Sequence, residues 1–208
     1  MEKIYSSFEK LFEKIPGGVF PIIGNCIYIT VIFIGYVSTP GYNMFNNYIS
    51  DLGAVPGMIG LLFNIGVVLS GALGIPFSVF LGKYLLEEGA NKNRTNLIVI
   101  LGLIVNILVS LSGFFPFIPN TIYYTIHLFI ALINFPLLVI VLISSSLLIG
   151  SIQEFPRKLY YILLLFSLLN IPFFFIMFLA QLLIFEWLLF FISIAWILIV
   201  AIYTLKKT

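Results

Sequence analysis

Asp51, His127 and Glu186 are the side chains on which any chemistry in this chain has to turn. The protein has a single His and a single Cys, Cys26, in 208 residues. Asp51 lies in the stretch NNYISDLGAVPG, a polar, turn-rich passage in a chain that is 62% hydrophobic. An imidazole that titrates near neutrality, beside a carboxylate, is the smallest set that performs general acid–base work. Asp51 and His127 are therefore the candidate catalytic residues. A Ser50–His127–Asp51 nucleophilic set can also be written, but no strand–turn–helix elbow motif surrounds Ser50. One His without an HExxH or CxxC pattern builds no metal centre, so no metal is expected. No glycine-rich phosphate loop is present and no cofactor is expected. No cluster of basic residues with aromatic interleaving points to nucleic acid.

The amides extend this set. Asn64 falls two turns into an apolar segment and Asn134 lies seven residues beyond His127, on the same helical face. Ser50, Asp51, Asn64, His127 and Asn134 form the candidate ligand-binding set. Asn106, Ser110, Asn170 and Gln181 add polar groups to other apolar segments. A plainer reading stands beside this one. Asn and Ser in apolar helices hydrogen-bond across helix interfaces, for about 0.6 kcal/mol each, and Ser50 or Asp51 can cap a short helix.

The elements that position these residues follow from hydropathy. Charged residues make up 9% of the chain and the mean hydropathy is +1.18, which excludes a soluble fold. The apolar runs are continuous rather than alternating, so the fold class is all-α, an integral membrane six-helix transmembrane bundle. The segments are expected at about 19–37, 58–81, 97–114, 122–148, 159–179 and 187–205. The last two come from one apolar stretch that would be about 70 Å long as a single helix, so it must fold back, with Gln181 and Glu186 marking the turn. Residues 2–15 place Ile4, Phe8, Leu11, Phe12 and Ile15 on one helical face. Residues 1–17 therefore read as an amphipathic interfacial helix, ended by Pro16-Gly17-Gly18, and residues 18–208 as the transmembrane domain. In segment two, Gly66, Ser70, Gly74 and Ser78 form a small-residue ladder. It serves either an internal packing seam or a homo-oligomer contact, and Pro76 is expected to kink the helix. Trp187 and Tyr5 are expected at the membrane interface.

Charge sets the orientation. All ten Lys and Arg fall before segment one, between two and three, between four and five, and after six. By the positive-inside rule both termini are cytoplasmic. Asp51 and Glu186 then lie on the outer side, with His127 the titratable partner on that face. The Asn93-Arg94-Thr95 sequon falls on the inner side and is expected to carry no glycan.

Four short motifs, in order, carry a resemblance. They are Ser50-Asp51-Leu52-Gly53, Phe63-Asn64-Ile65-Gly66, Gly113-Phe114-Phe115-Pro116 and His127. The chain resembles the domain-of-unknown-function family 998, archaeal and bacterial membrane proteins with this sequence of motifs. The resemblance implies a compact six-helix membrane protein, supplies no activity, and picks out Asp51, Asn64 and His127. The amphipathic N-terminal helix departs from it. A more distant similarity of architecture, to the eukaryotic damage-regulated autophagy modulator family, hints at lipid handling.

Three functions fit these residues, and the first, which is no enzyme, is favoured. It is a multi-pass protein of the plasma membrane whose outward-facing polar pocket binds a lipid head group or small polar ligand. The second is an intramembrane lipid-acting enzyme with an Asp51/His127 acid–base pair. The third is a proton-coupled transporter using Asp51, His127 and Glu186. The expected partner is membrane lipid.

Overall fold

The computed structural model describes residues 1–206; Lys207, one of the basic residues assigned above to the inner side, lies outside the described residues. The elements are α1 (Glu2–Phe12), α2 (Val19–Ser38), a 3-10 helix (Ile49–Ala54), α3 (Met58–Glu87), α4 (Lys92–Phe114), α5 (Ile122–Ser151), α6 (Arg157–Ala180) and α7 (Ile184–Leu205). No strand occurs among the described residues. The six helices α2 to α7 are long and apolar enough to cross a membrane, which is the arrangement that satisfies backbone polar groups in hydrocarbon without water.

Two helices run further than hydropathy suggests. α3 and α5 are each 30 residues long, about 45 Å at 1.5 Å per residue, and extend to Glu87 and Ser151 rather than Leu81 and Leu148. Hydropathy reports where apolar residues stop, whereas Lys83, Tyr84 and Glu87 still favour helix once the chain enters a polar layer. The fold-back of the last apolar stretch lies at residues 181–183. Gln181, with φ 53°, ends α6 in the left-handed region. Glu186 is not in this turn; it falls in the first turn of α7. Pro76, Pro136 and Pro172 are accommodated inside continuous helices, so the Asn170–Pro172 stretch does not break α6.

Each spanning helix packs on the next in sequence, and α7 returns to α2. The result is a closed ring. Small residues set the tightest seams. Gly66 receives Val31 and Gly24 lies against the Ser70 backbone, joining α2 to α3. Gly74 abuts the Asn106 carboxamide and Ser78 packs on Gly102, joining α3 to α4. All four residues of the segment-two ladder are thus used within the chain. Asn106 completes the second seam by donating to Ser78 Oγ at 3.0 Å and to the Gly102 carbonyl at 2.8 Å. On the other side of the ring, Trp196 donates to Ser146 at 2.8 Å and Ser193 to Asn170 at 3.1 Å, tying α7 to α5 and α6.

α1 lies against the end of the ring where α3 finishes and α4 begins. Phe12 makes edge contacts with Phe20 and Phe80 at 6.4 and 5.6 Å. Glu9 pairs with Lys83 and Glu2 with Lys92, both at 3.4 Å; such exposed pairs contribute at most about 1 kcal/mol. Tyr5 donates to Asn96 at 3.1 Å. Gly17 and Gly18 make the corner into α2 because Phe80 and the Ala201 carbonyl stand where a Cβ would be.

Candidate functional site

The ring encloses a cavity of about 660 Å³, within the range of small-molecule sites. Its walls are mostly apolar: Phe77, Leu81, Val105, Leu138, Leu142 and Ile194 are representative. Polar groups stand beneath the 3-10 helix and also at deeper levels, among them Asn25, Asn106, Ser145, Asn170 and Ser193. Ser50, Asn64, His127 and Asn134 all line the cavity, so four of the five residues proposed from sequence meet on one surface.

Asn64 is held in the second turn of α3 and donates to the Gly53 carbonyl at 3.0 Å, which fastens the 3-10 helix over the cavity. Gly53 lets the two approach closely: a Cβ there would fall 2.5 Å from Asn64 Oδ1 and push the amide aside. His127 stands in the second turn of α5, with Nδ1 2.7 Å from the Phe115 carbonyl. A carbonyl only accepts, so Nδ1 carries the hydrogen, and in the neutral ring Nε2 is then the acceptor. Asn134 lies below it, and its buried Oδ1 has no hydrogen-bond partner. Ser145 Oγ, deeper on the same helix, is likewise buried, without a partner and on the cavity wall.

Asp51 is the exception. Its carboxylate accepts from the Tyr48 backbone N–H at 2.9 Å and more weakly from Asn47 at 3.4 Å. It therefore caps the 3-10 helix, the plainer of its two readings. Partial burial pushes its carboxyl above the ordinary range, against the pull of the Tyr48 N–H and the Asn47 amide. Asp51 lines not the cavity but a separate depression of about 710 Å³ on the outer face of the loops, with Asn46, Asn120 and Thr121. The aromatics Tyr48, Phe117 and Tyr124 border both spaces. They form one partition, with Phe117 4.6 Å from Tyr124, 5.8 Å from Tyr48 and 5.4 Å from the His127 ring, centroid to centroid. Asp51 and His127 share no hydrogen bond, and each is engaged by a backbone group of its own. The structure does not assemble the acid–base pair.

The carboxylate that does line the cavity is Glu186. Its side chain enters from the first turn of α7 and its Oε2 accepts from the Ile49 N–H at 2.8 Å. Asp51 stands near enough to repel it. Sequence reading named Glu186 as an outer acid but left it out of the binding set. The available signal was an acid opening an apolar helix with no basic residue on its side. Asn25 was missed outright, although it is the lone amide of the first apolar segment; it is buried in α2 and lines the same cavity. Trp187 is not an interface anchor. It is 1% exposed and donates to the Asn47 carbonyl at 3.1 Å, and this bond with the Tyr36 and Tyr42 contacts holds the loop between α2 and α3 onto the ring.

Residues 22–203 match the model of the family described as protein of unknown function (DUF998). The chain belongs to that family, and the match covers the six long helices except the start of α2 and the end of α7, leaving α1 outside it. Neither a curated protein nor a solved structure matches it. The protein is thus a multi-pass membrane protein of a family to which no activity is attached.

Proposed function

We propose that this protein binds an amphiphile, such as a membrane lipid, with its apolar chain in the ring and its polar head among Ser50, Asn64, His127 and Asn134. The observation that carries this reading is a mostly apolar cavity wall on which the Asn134 Oδ1 acceptor, below His127 on the same helix, is buried and unpartnered. A buried polar group without a partner costs about 1–3 kcal/mol, and a ligand head group or ordered water offsets that cost. We take the end beneath the 3-10 helix as outward-facing, with both termini cytoplasmic, because the basic residues lie at the opposite end. α1 then lies in the inner interface, and the membrane is the plasma membrane.

Native mass spectrometry of the gently solubilised protein tests this. A specific adduct on the wild type that is reduced in His127→Ala and in Asn64→Ala is the expected result. Equal occupancy in all three sinks the placement of the head group.

Proton-coupled transport is a second reading, favoured by one observation: Glu186 and His127, a carboxylate and an imidazole, face the same cavity. Solute flux into liposomes that does not respond to a pH gradient counts against it.

A further inference from the structure

We infer that the end of the cavity beneath the 3-10 helix selects a cationic head group, an amine or quaternary ammonium, with Glu186 as its counter-charge. The inference rests on the amphiphile-binding reading and names the head-group chemistry.

Glu186 is 9% exposed and only its Oε2 is taken, by the Ile49 N–H. Among the described residues Oε1 makes no hydrogen bond and Glu186 makes no ion pair, yet the residue lines the cavity. The wall contains no Lys or Arg and no other acid. A carboxylate buried without a counter-charge is costly, and a cationic guest in the cavity removes that cost. The second acid, Asp51, adds to the negative potential from across the loop.

The aromatic surroundings fit the same guest. Tyr28, Tyr42 and Tyr48 lie within electrostatic reach of Glu186. Tyr28 is bracketed by Phe190 at 4.8 Å and Phe63 at 6.0 Å, and all three line the cavity. Aromatic faces beside a carboxylate recognise ammonium groups through cation–π attraction. A phosphate-bearing head has nothing to meet it here, because no Lys or Arg stands on the wall. The favoured guest is therefore a cation with no anion attached.

The test is a binding titration of the intact protein in an uncharged detergent. The readout is tryptophan fluorescence: of the chain's two Trp, Trp196 lines the cavity and Trp187 adjoins Glu186 in sequence. The probes share one alkyl chain: dodecyltrimethylammonium, dodecanol and dodecylphosphocholine. The expected result is a preference of about tenfold for the cation over the alcohol. In Glu186→Gln, which keeps an acceptor for the Ile49 N–H, that preference falls to about twofold or less. Dodecylphosphocholine should bind more weakly than dodecyltrimethylammonium; binding as tight would overturn the exclusion of phosphate-bearing heads. Equal affinity for cation and alcohol in the wild type, or a preference that E186Q retains, overturns the inference and leaves amphiphile binding standing. Saturable binding of none of the probes overturns both. The wild-type comparison decides the matter even where the variant does not fold.

Discussion

Two polar regions of this ring use similar side chains to opposite ends. In the α3–α4 seam, Asn106 spends both of its donors on Ser78 and Gly102, and Ser110 donates toward the Val68 and Asn106 carbonyls at 3.2 and 3.1 Å. The polar groups there spend their hydrogen bonds within the seam and hold the helices together, although Asn106 and Ser78 also border the cavity. At the cavity mouth, Asn64 and His127 are positioned by backbone carbonyls, while Asn134 Oδ1 is left without a partner. What separates a seam from a candidate site is unspent hydrogen-bonding capacity beside open volume. The number of amides does not distinguish them.

The sharpest way to break the comparison is to overfill the seam. Gly74→Leu places a side chain where the Asn106 carboxamide sits. Overpacking a tight contact costs on the order of 1–3 kcal/mol. We expect a large fall in thermal unfolding temperature and loss of the monodisperse peak in size-exclusion chromatography. A variant that melts like the wild type would mean that the seam is loose and that the ring is not held where we place its tightest joint.

The next test sets two asparagines against each other. Asn106→Ala strips Ser78 and Gly102 of a donor and should lower stability by about 1 kcal/mol, with amphiphile occupancy falling less than in Asn134→Leu. Asn134→Leu removes an acceptor that is not in use, so stability should hold or rise while occupancy falls. Thermal melts paired with native mass spectrometry read both. If the two variants behave alike in both measurements, the distinction between seam and site collapses.

The fold was largely legible because its determinants are local. Six apolar runs, the fold-back forced by length in residues 159–205, and the face formed by Phe8 and Phe12 can all be read in sequence windows. Ring closure could not, since contact of α7 with α2 depends on how each helix is rotated about its axis. These helices are apolar on nearly all sides, so periodicity does not define an inner face. Leu179 and Phe129 are well exposed on the ring while Leu142 and Leu163 are buried, and nothing in their residue types separates them. The site was half legible for the same reason. Ser50, Asn64, His127 and Asn134 were found as rare polar residues in apolar context. Whether Asp51 or Glu186 turned inward rested on loop geometry: the Tyr48 N–H holds the Asp51 carboxylate back on its own helix, and the Ile49 N–H meets Glu186 from across the ring.

Asn64 lies between the two regions, since it lines the cavity and also fastens the loop. Asn64→Ala leaves the Gly53 carbonyl without its donor. The expected stability loss is about 0.6 kcal/mol, small against Gly74→Leu, with faster hydrogen exchange confined to the 3-10 helix. Exchange that quickens along α3 as well would show that the bond supports the ring and does more than hold the cover.

The smallest effect expected is the pH dependence of Asp51, which tests its assignment as a cap outside the cavity. Its carboxyl is raised above the ordinary value of 3.8, first by burial, with the Tyr48 N–H and the Asn47 amide opposing. A group whose folded-state value is raised contributes stability that is fully present below the unfolded value and is lost as pH rises through the folded one. Asp51→Asn keeps an oxygen for the Tyr48 N–H and does not titrate. The stability of the wild type relative to this variant should therefore be greatest below about pH 3.8 and decline in the window just above it. The half-exposed position keeps the change slight, because solvent screens the charge. Occupancy by an uncharged amphiphile should be the same in both proteins, since Asp51 faces the separate depression. A slope of opposite sign would mean that the Tyr48 and Asn47 bonds outweigh burial and hold Asp51 charged. A loss of occupancy in Asp51→Asn would return this residue to the binding site from which its geometry removes it.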